Sequence, residues 1–237
     1  METHRNGRNL PHHPDCDACR GCVVAMCLAL ADCASAPPQA SPLNLAQARA
    51  SVSAYCDSGA YDRDVADVAA QVGRWLEERA ARRRPGERLA AVFDVDETLL
   101  SNAPLIRRLE YAYAPREWER WFSDADAPVI EPVREVYELA GRLGIATMLV
   151  TGRRDPAERA ATELNLRRRG LDRHEHLAMA PAGQPRGEMA AFKTSIRRAF
   201  EGVGYVIVAN VGDQHSDLRG GHAERTFKLP DPFYLVE

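Results

Sequence analysis

The chain has 237 residues, 45% hydrophobic and 27% charged, enough to bury a full core in one main domain with additions. Its formal charge of −3 excludes a surface built for a nucleic-acid polymer. All six cysteines lie within the first 56 residues, which excludes disulfides and thiolate chemistry from the remainder.

Residues 1–33 predict an export signal. Arg5, Arg8 and Arg20 precede the apolar run from Gly21 to Ala31, and small residues and Pro37-Pro38 follow. That run is too short to span a bilayer as a stable helix. Leu30-Ala31-Asp32-Cys33 resembles the lipobox of bacterial lipoproteins, although Asp32 stands where a small residue belongs. The expected location is therefore outside the cytoplasm, in the periplasm or anchored to the outer membrane. A membrane tether through a lipidated Cys33 and simple cleavage both stay open. Cys16, Cys19 and Cys22 have the spacing of a metal or cluster motif, but no fourth ligand follows at a familiar distance. A mature chain starting at or after Cys33 would lack them.

Residues 34–88 read as a tether (34–42) and a helical region, with helices predicted over 43–54 and 64–82. In the second, Val65, Val68, Ala69, Val72, Trp75 and Leu76 form one apolar stripe. Tyr55 to Tyr61 is a turn-rich joint between them. The arginine clusters 82–84 and 167–169 fall at helix ends, where cations favour the dipole and stay solvated.

Residues 89–237 form the main domain. Leu89 to Phe93 is an apolar run suited to a strand buried on both faces, and Asp94 and Asp96 follow it. Strand and helix then alternate, which predicts a parallel sheet with helices on both faces. A helix begins at Pro132 and runs to 142, and a strand over 145–150 ends in Thr151-Gly152-Arg153. Asp155-Pro156 is read as the cap of a helix that Gly170 stops. A strand near 177–179, a helix over 187–201 carrying Lys193 and a strand over 205–211 come next. That last strand leads into Asp213 and Asp217, and a final strand lies near 225.

Asp94/Asp96, Thr151 and Asp213/Asp217 thus lie at strand ends, on the rim where parallel sheets bind ligands. Converging carboxylates repel unless a hard cation neutralises them, and oxygen ligands suit Mg²⁺. A hydroxyl and an ammonium beside such a cation suit an anionic, oxygen-rich substrate, so the inventory fits phosphoryl transfer. Each residue has a plainer alternative. Asp96 could cap a turn, Lys193 could be a solvated helix lysine with Lys228 in its place, and Asp217 could cap a helix. Trp118 and Trp121, three apart on a short helix, serve either the core or an aromatic wall that stacks a substrate ring. His215 is expected beside the site or on the surface.

D-x-D-x-T, T-G-R, a helix lysine and G-D-x-x-x-D, in this order, resemble the haloacid dehalogenase (HAD) superfamily and its Rossmann-like α/β fold. More narrowly, the stretches Phe93–Asn102, Gly212–Leu218 and Thr226–Pro232 are similar to subfamily IIIB. That branch includes bacterial lipoprotein acid phosphatases and plant vegetative storage proteins and acid phosphatases. The resemblance implies Asp94 as nucleophile and Asp96 as general acid and base. It implies Thr151 and Lys193 as catalytic partners, with Thr98, Gly152 and Arg153 beside the substrate. Mg²⁺ would be held by Asp94, the Asp96 carbonyl, Asp213 and Asp217. The expected activity is a Mg²⁺-dependent acid phosphatase acting on small phosphomonoesters, 5′-nucleotides among them if the tryptophans stack a base. The insert at 99–143 is too short for a large cap domain. Transfer to an alcohol acceptor, or a storage protein without turnover, are the alternatives; a homodimer stays open.

Overall fold

The computed structural model describes residues 43–236, and the elements below are those of this segment. The expected export signal, the Cys16/Cys19/Cys22 cluster, Cys33 and the 34–42 tether lie outside it.

Five strands form one parallel sheet: β1 (Arg88–Phe93), β2 (Ala146–Asp155), β3 (His176–Pro181), β4 (Tyr205–Gly212) and β5 (Thr226–Lys228). Their order is β3-β2-β1-β4-β5. The chain leaves β1 towards β2 and later returns to its other side with β4. The carboxyl ends of β1 and β4 therefore flank a topological switch point, the place where such sheets bind ligands.

Alternation along β1 divides the interior in two. Leu89, Ala91 and Phe93 join a core built with Val65, Val72 and Leu76 of α2 (Ala60–Ala81) and Val133, Val136 and Ala140 of α5 (Glu131–Arg142). Ala90 and Val92 face the other side, against Phe200 of α7 (Met189–Gly202). Both faces are covered, as the unbroken apolar run requires. The Trp75 indole of α2 donates to the Val208 carbonyl at 2.7 Å, pinning that helix to β4. The remaining helices are α1 (Leu45–Asp57), α3 (Ala103–Arg108), α4 (Pro115–Asp124), α6 (Arg159–Arg168) and the single turn α8 (His215–Leu218). The insert between β1 and β2 is thus α3 to α5, without a cap domain. No helix among the described residues is long and apolar enough to cross a membrane.

Three boundaries differ from expectation. The Tyr55–Tyr61 joint shrinks to Ser58 and Gly59, because Gly59 adopts φ +71° and reverses the chain within a single residue. The strand expected to stop at Val150 runs on to Asp155, with a register shift between Thr151 and Arg154, so T-G-R lies inside a bulged strand end. Asp155 therefore ends β2 instead of capping α6. Its carboxylate is taken by the Arg159 guanidinium at 2.8 and 2.9 Å, and α6 starts after Glu158.

The arginine clusters are also less idle than helix-end cations. Arg83 donates to the carbonyls of Leu143 and Gly144 just past α5. Arg168 donates to those of Asp124 and Ala125 at the end of α4. Each satisfies carbonyls that a helix terminus leaves without partners.

Candidate active site

Asp94 follows the last residue of β1, and its backbone N–H donates to the Val211 carbonyl of β4 at 2.9 Å. The chain then turns tightly: Thr98, Leu99 and Leu100 all direct their N–H groups at the Val95 carbonyl. Asp94, Asp213 and Asp217 are buried, and each offers an oxygen within 4.8 Å of the others. Lys193 reaches in from α7 and donates to Asp94 Oδ1 at 2.5 Å and Asp217 Oδ1 at 2.6 Å. Lys228 instead pairs with Asp231 at 3.0 Å, so of the two lysines it is Lys193 that reaches the acidic cluster.

Asp217 serves two ends. Its Oδ2 accepts from the Gln214 backbone N–H at 2.8 Å, the capping box that starts α8, while its Oδ1 faces Lys193. Gly212 makes this approach possible, since a Cβ there would stand 2.4 Å from Asp217 Oδ2. Arg197, buried in α7, holds the loop behind by donating to the carbonyls of Asp217 and Gly221.

Three carboxylates against one ammonium leave an excess of negative charge in a buried crevice. Burial, opposed in part by Lys193 and reinforced by Asp217 and Asp96, pushes the Asp94 carboxyl well above its ordinary value. Burial and the Asp217 and Asp94 charges do the same to Asp213. Asp213 Oδ2 accepts from Gln214 Nε2 at 2.6 Å, whereas its buried Oδ1 has no partner. A buried carboxylate oxygen without a donor is costly. The orphaned atom, the all-oxygen donors and the charge deficit fit a hard divalent cation.

Asp96 stands apart from this cluster. Arg153 donates to it from Nη2 (Oδ1, 2.7 Å) and Nε (Oδ2, 3.0 Å), and Asn102 Nδ2 adds a bond to Oδ1 at 2.9 Å. Burial alone would raise this carboxyl, but the arginine outweighs it and holds Asp96 below the usual carboxylate range. Phe122 backs the guanidinium, its ring centroid 4.7 Å away.

A cavity of about 520 Å³ opens over Asp94, Asp96, Gly152, Arg153, Lys193, Asp213 and Asp217. Trp118 lines it, with Tyr113 and Phe122 at centroid distances of 6.3 and 5.6 Å. Other expected residues fall elsewhere. Trp121 does not line the cavity; its indole donates to Asn102 Oδ1 at 2.7 Å and its ring packs on the main core. Thr151 is fully buried below the cavity wall, and its hydroxyl accepts from the Arg153 N–H at 3.2 Å. Thr98 is likewise enclosed, its hydroxyl without a protein partner. Both were expected beside the substrate; of the residues expected there, Gly152 and Arg153, at the bulge after Thr151, do line the cavity. His215 is exposed.

Sequence reasoning passed over Asn102, Glu97, Arg197 and the segment after Pro232. Asn102 and Glu97 lie within or beside the first motif, where the aspartates draw the attention. Glu97 is buried and receives the Asn102 backbone N–H, its Nδ2 at 3.0 Å and the Tyr234 hydroxyl at 2.7 Å.

Fold and site together define an α/β protein whose switch-point crevice presents a buried, cation-seeking acidic cluster beside an arginine-bound carboxylate. Comparison with known proteins narrows this class. The chain matches, over residues 23–237, the family described as HAD superfamily, subfamily IIIB (acid phosphatase), and it belongs to that family. Acid phosphatase 1 of Solanum lycopersicum is 34% identical over 149 residues, 61% of this chain and 58% of that protein. The stem 28 kDa glycoprotein of Glycine max is 34% identical over 152 residues, 62% and 59% of the two chains. Vegetative storage protein 1 of Arabidopsis thaliana is 32% identical over 149 residues, 61% and 54%. The matched segment therefore spans somewhat over half the length of these relatives. Among solved structures, the class C acid phosphatase from Bacillus anthracis has the same fold, with a TM-score of 0.65 at 19% identity over 81% of this chain and 86% of that one.

Proposed function

We propose that this protein is an exported phosphomonoesterase that works through an aspartyl phosphate on Asp94, with Mg²⁺ as its metal. The supporting observation is the convergence of Asp94, Lys193, Asp217 and the partnerless Asp213 Oδ1 under one cavity. Export rests on the basic and apolar pattern of residues 1–33.

Asp94 attacks phosphorus, the ester P–O bond breaks, and Asp96 hands a proton to the leaving oxygen. Water then attacks the phosphorus while Asp96 takes its proton, and the Asp94–phosphorus bond breaks. Lys193 holds Asp94 in place and offsets charge on the phosphoryl group. Held by Asp94, Asp213, Asp217 and the Asp96 carbonyl, Mg²⁺ would supply the charge that three carboxylates and a phosphate dianion lack. Arg153 is bound to Asp96 where a phosphate would compete for it. Moving the guanidinium to the substrate removes the charge that keeps Asp96 ionised, so Asp96 takes up its proton as substrate arrives. Trp118, with Tyr113 and Phe122, gives an aromatic leaving group a surface to stack on.

A panel of 5′-nucleotides, sugar phosphates and an aryl phosphate, assayed with Mg²⁺ and with EDTA, tests this reading. The expected result is phosphate release with Mg²⁺, lost in EDTA and recovered on adding the metal back. Release that ignores EDTA would remove the metal from the proposal, and no release on any substrate would favour a storage protein.

Trp121 acts at one remove, through Asn102. Trp121→Phe keeps the packed ring but leaves Asn102 Oδ1 without its donor, freeing the amide that positions Asp96. The expected outcome is a roughly tenfold lower kcat, worth ~1.4 kcal/mol, with KM changed less than about twofold. A raised KM with unchanged kcat would return Trp121 to the substrate wall.

A further inference from the structure

After β5 the chain crosses to the active site, and residues 233–236 line its cavity. Phe233 anchors the crossing, its ring edge-on to Tyr61 at 5.5 Å between centroids. The Tyr234 hydroxyl donates to Glu97 Oε2 at 2.7 Å, three residues after Asp94. On the other side, Gln214 donates from Nε2 to the Tyr234 carbonyl at 3.3 Å and accepts from the Val236 N–H at 2.8 Å. That same Nε2 bonds Asp213. The segment is thus tied to both acidic loops of the site.

These ties fix the backbone on either side of Leu235, whose side chain is left 64% exposed on the cavity. Tyr113, also on the cavity, is 65% exposed. Glu97 is buried, and the Tyr234 hydroxyl shares its carboxylate only with the Asn102 backbone N–H and Nδ2. A buried glutamate and a glutamine side chain spent on holding an apolar residue at a cavity mouth serve selection better than stability.

We propose that residues 233–236 are the specificity wall of the site, with Leu235 giving preference to phosphomonoesters that carry an aryl leaving group. This rests on the phosphomonoesterase reading and adds the element that chooses the substrate. Leu235 covers the face of the bound ring, while the Tyr234–Glu97 and Gln214 bonds set the distance between wall and phosphate site.

Phosphonates test it without turnover. The dissociation constants of phenylphosphonate and methylphosphonate are measured by calorimetry in Mg²⁺ for the full chain, Leu235→Ala, Tyr234→Phe and a chain ending after Pro232. The full chain is expected to prefer phenylphosphonate by about tenfold or more, from a ring's worth of apolar area. Leu235→Ala lowers that ratio about threefold, Tyr234→Phe lowers it by a similar factor, and the shortened chain abolishes it. Leu235 is exposed, so its replacement reads out even if the shortened chain fails to fold. A full chain without preference, or a ratio unchanged in Leu235→Ala, overturns the proposal. A full chain that binds neither phosphonate would overturn the phosphomonoesterase reading with it, a result distinct from binding both equally.

Discussion

Asp94→Asn is expected to lower phosphate release by roughly four orders of magnitude, ~5.4 kcal/mol at 1.36 kcal/mol per decade. An amide has the shape of the carboxylate but is no nucleophile, so the covalent step has nothing to start it. The substitution asks little of the fold. Asparagine Oδ1 can still accept from Lys193, which now bonds Asp94 at 2.5 Å, and one of three crowded negative charges disappears. Burial and the neighbouring carboxylates already press Asp94 towards its neutral form, so the neutral isostere should not lower thermal stability in metal-free buffer. Steady-state assay and a melting curve on one preparation decide the matter. Loss of turnover with an equal or higher midpoint is expected; retention of more than about a hundredth of the activity would place the nucleophile elsewhere.

How far the sequence could be read depended on whether a feature was local. The apolar run Leu89–Phe93 specified a doubly covered strand, and the structure seals both its faces. Asp94, Asp213, Asp217 and Lys193 were legible because each sits at a fixed offset from a strand or helix that periodicity reveals, and topology then brings them together. Thr151 was read at the right strand end, but whether its hydroxyl faces cavity or backbone depends on a bulge set by pairing with β3, which period-two reasoning does not contain. The choice left open for Trp118 and Trp121, core or aromatic wall, turned on the same kind of reason. Trp118 and Trp121 are three apart and nominally share a helix face, yet the angle at which α4 docks sends one ring to the cavity and the other to Asn102. The contribution of residues 233–236 was invisible, because a polar tie from Tyr234 to Glu97 spans 137 positions and leaves no periodic trace. Asp217 had been balanced between helix cap and metal ligand, and its two oxygens make the choice unnecessary: one caps, the other faces the crevice.

The second large effect belongs to Lys193, among the described residues the one side-chain cation paired with the carboxylates of the acidic cluster. Lys193→Met keeps the stem but leaves Asp94 and Asp217 without their ammonium, so the folded state must carry uncompensated buried charge. Breaking a buried pair in this way costs about 3–5 kcal/mol, which for a domain of this size lowers Tm by roughly 10 °C. The loss should depend on pH in a definite direction. Burial disfavours the charged lysine, but Asp217 and Asp94 outweigh it and raise its proton affinity above the ordinary value. The lysine therefore stays protonated throughout, and its own titration adds no pH dependence between pH 5 and 8. The carboxylates behave oppositely. With folded values raised above ~3.9, Asp94 and Asp213 bind more protons folded than unfolded between that value and the raised ones, so their contribution falls as pH rises through that window. Removing Lys193, which holds Asp94 down, raises that carboxyl further, so the deficit of the variant should be small at pH 5 and large at pH 8. Added Mg²⁺ should recover part of the deficit at pH 8 by supplying positive charge to the same oxygens. Melting curves of both proteins at the two pH values, with EDTA and with Mg²⁺, separate the possibilities. A deficit equal at both pH values and indifferent to metal would mean that Lys193 fills space under the cavity; a deficit that grows with pH and shrinks with Mg²⁺ would mean that lysine and metal share the task of balancing one acidic cluster.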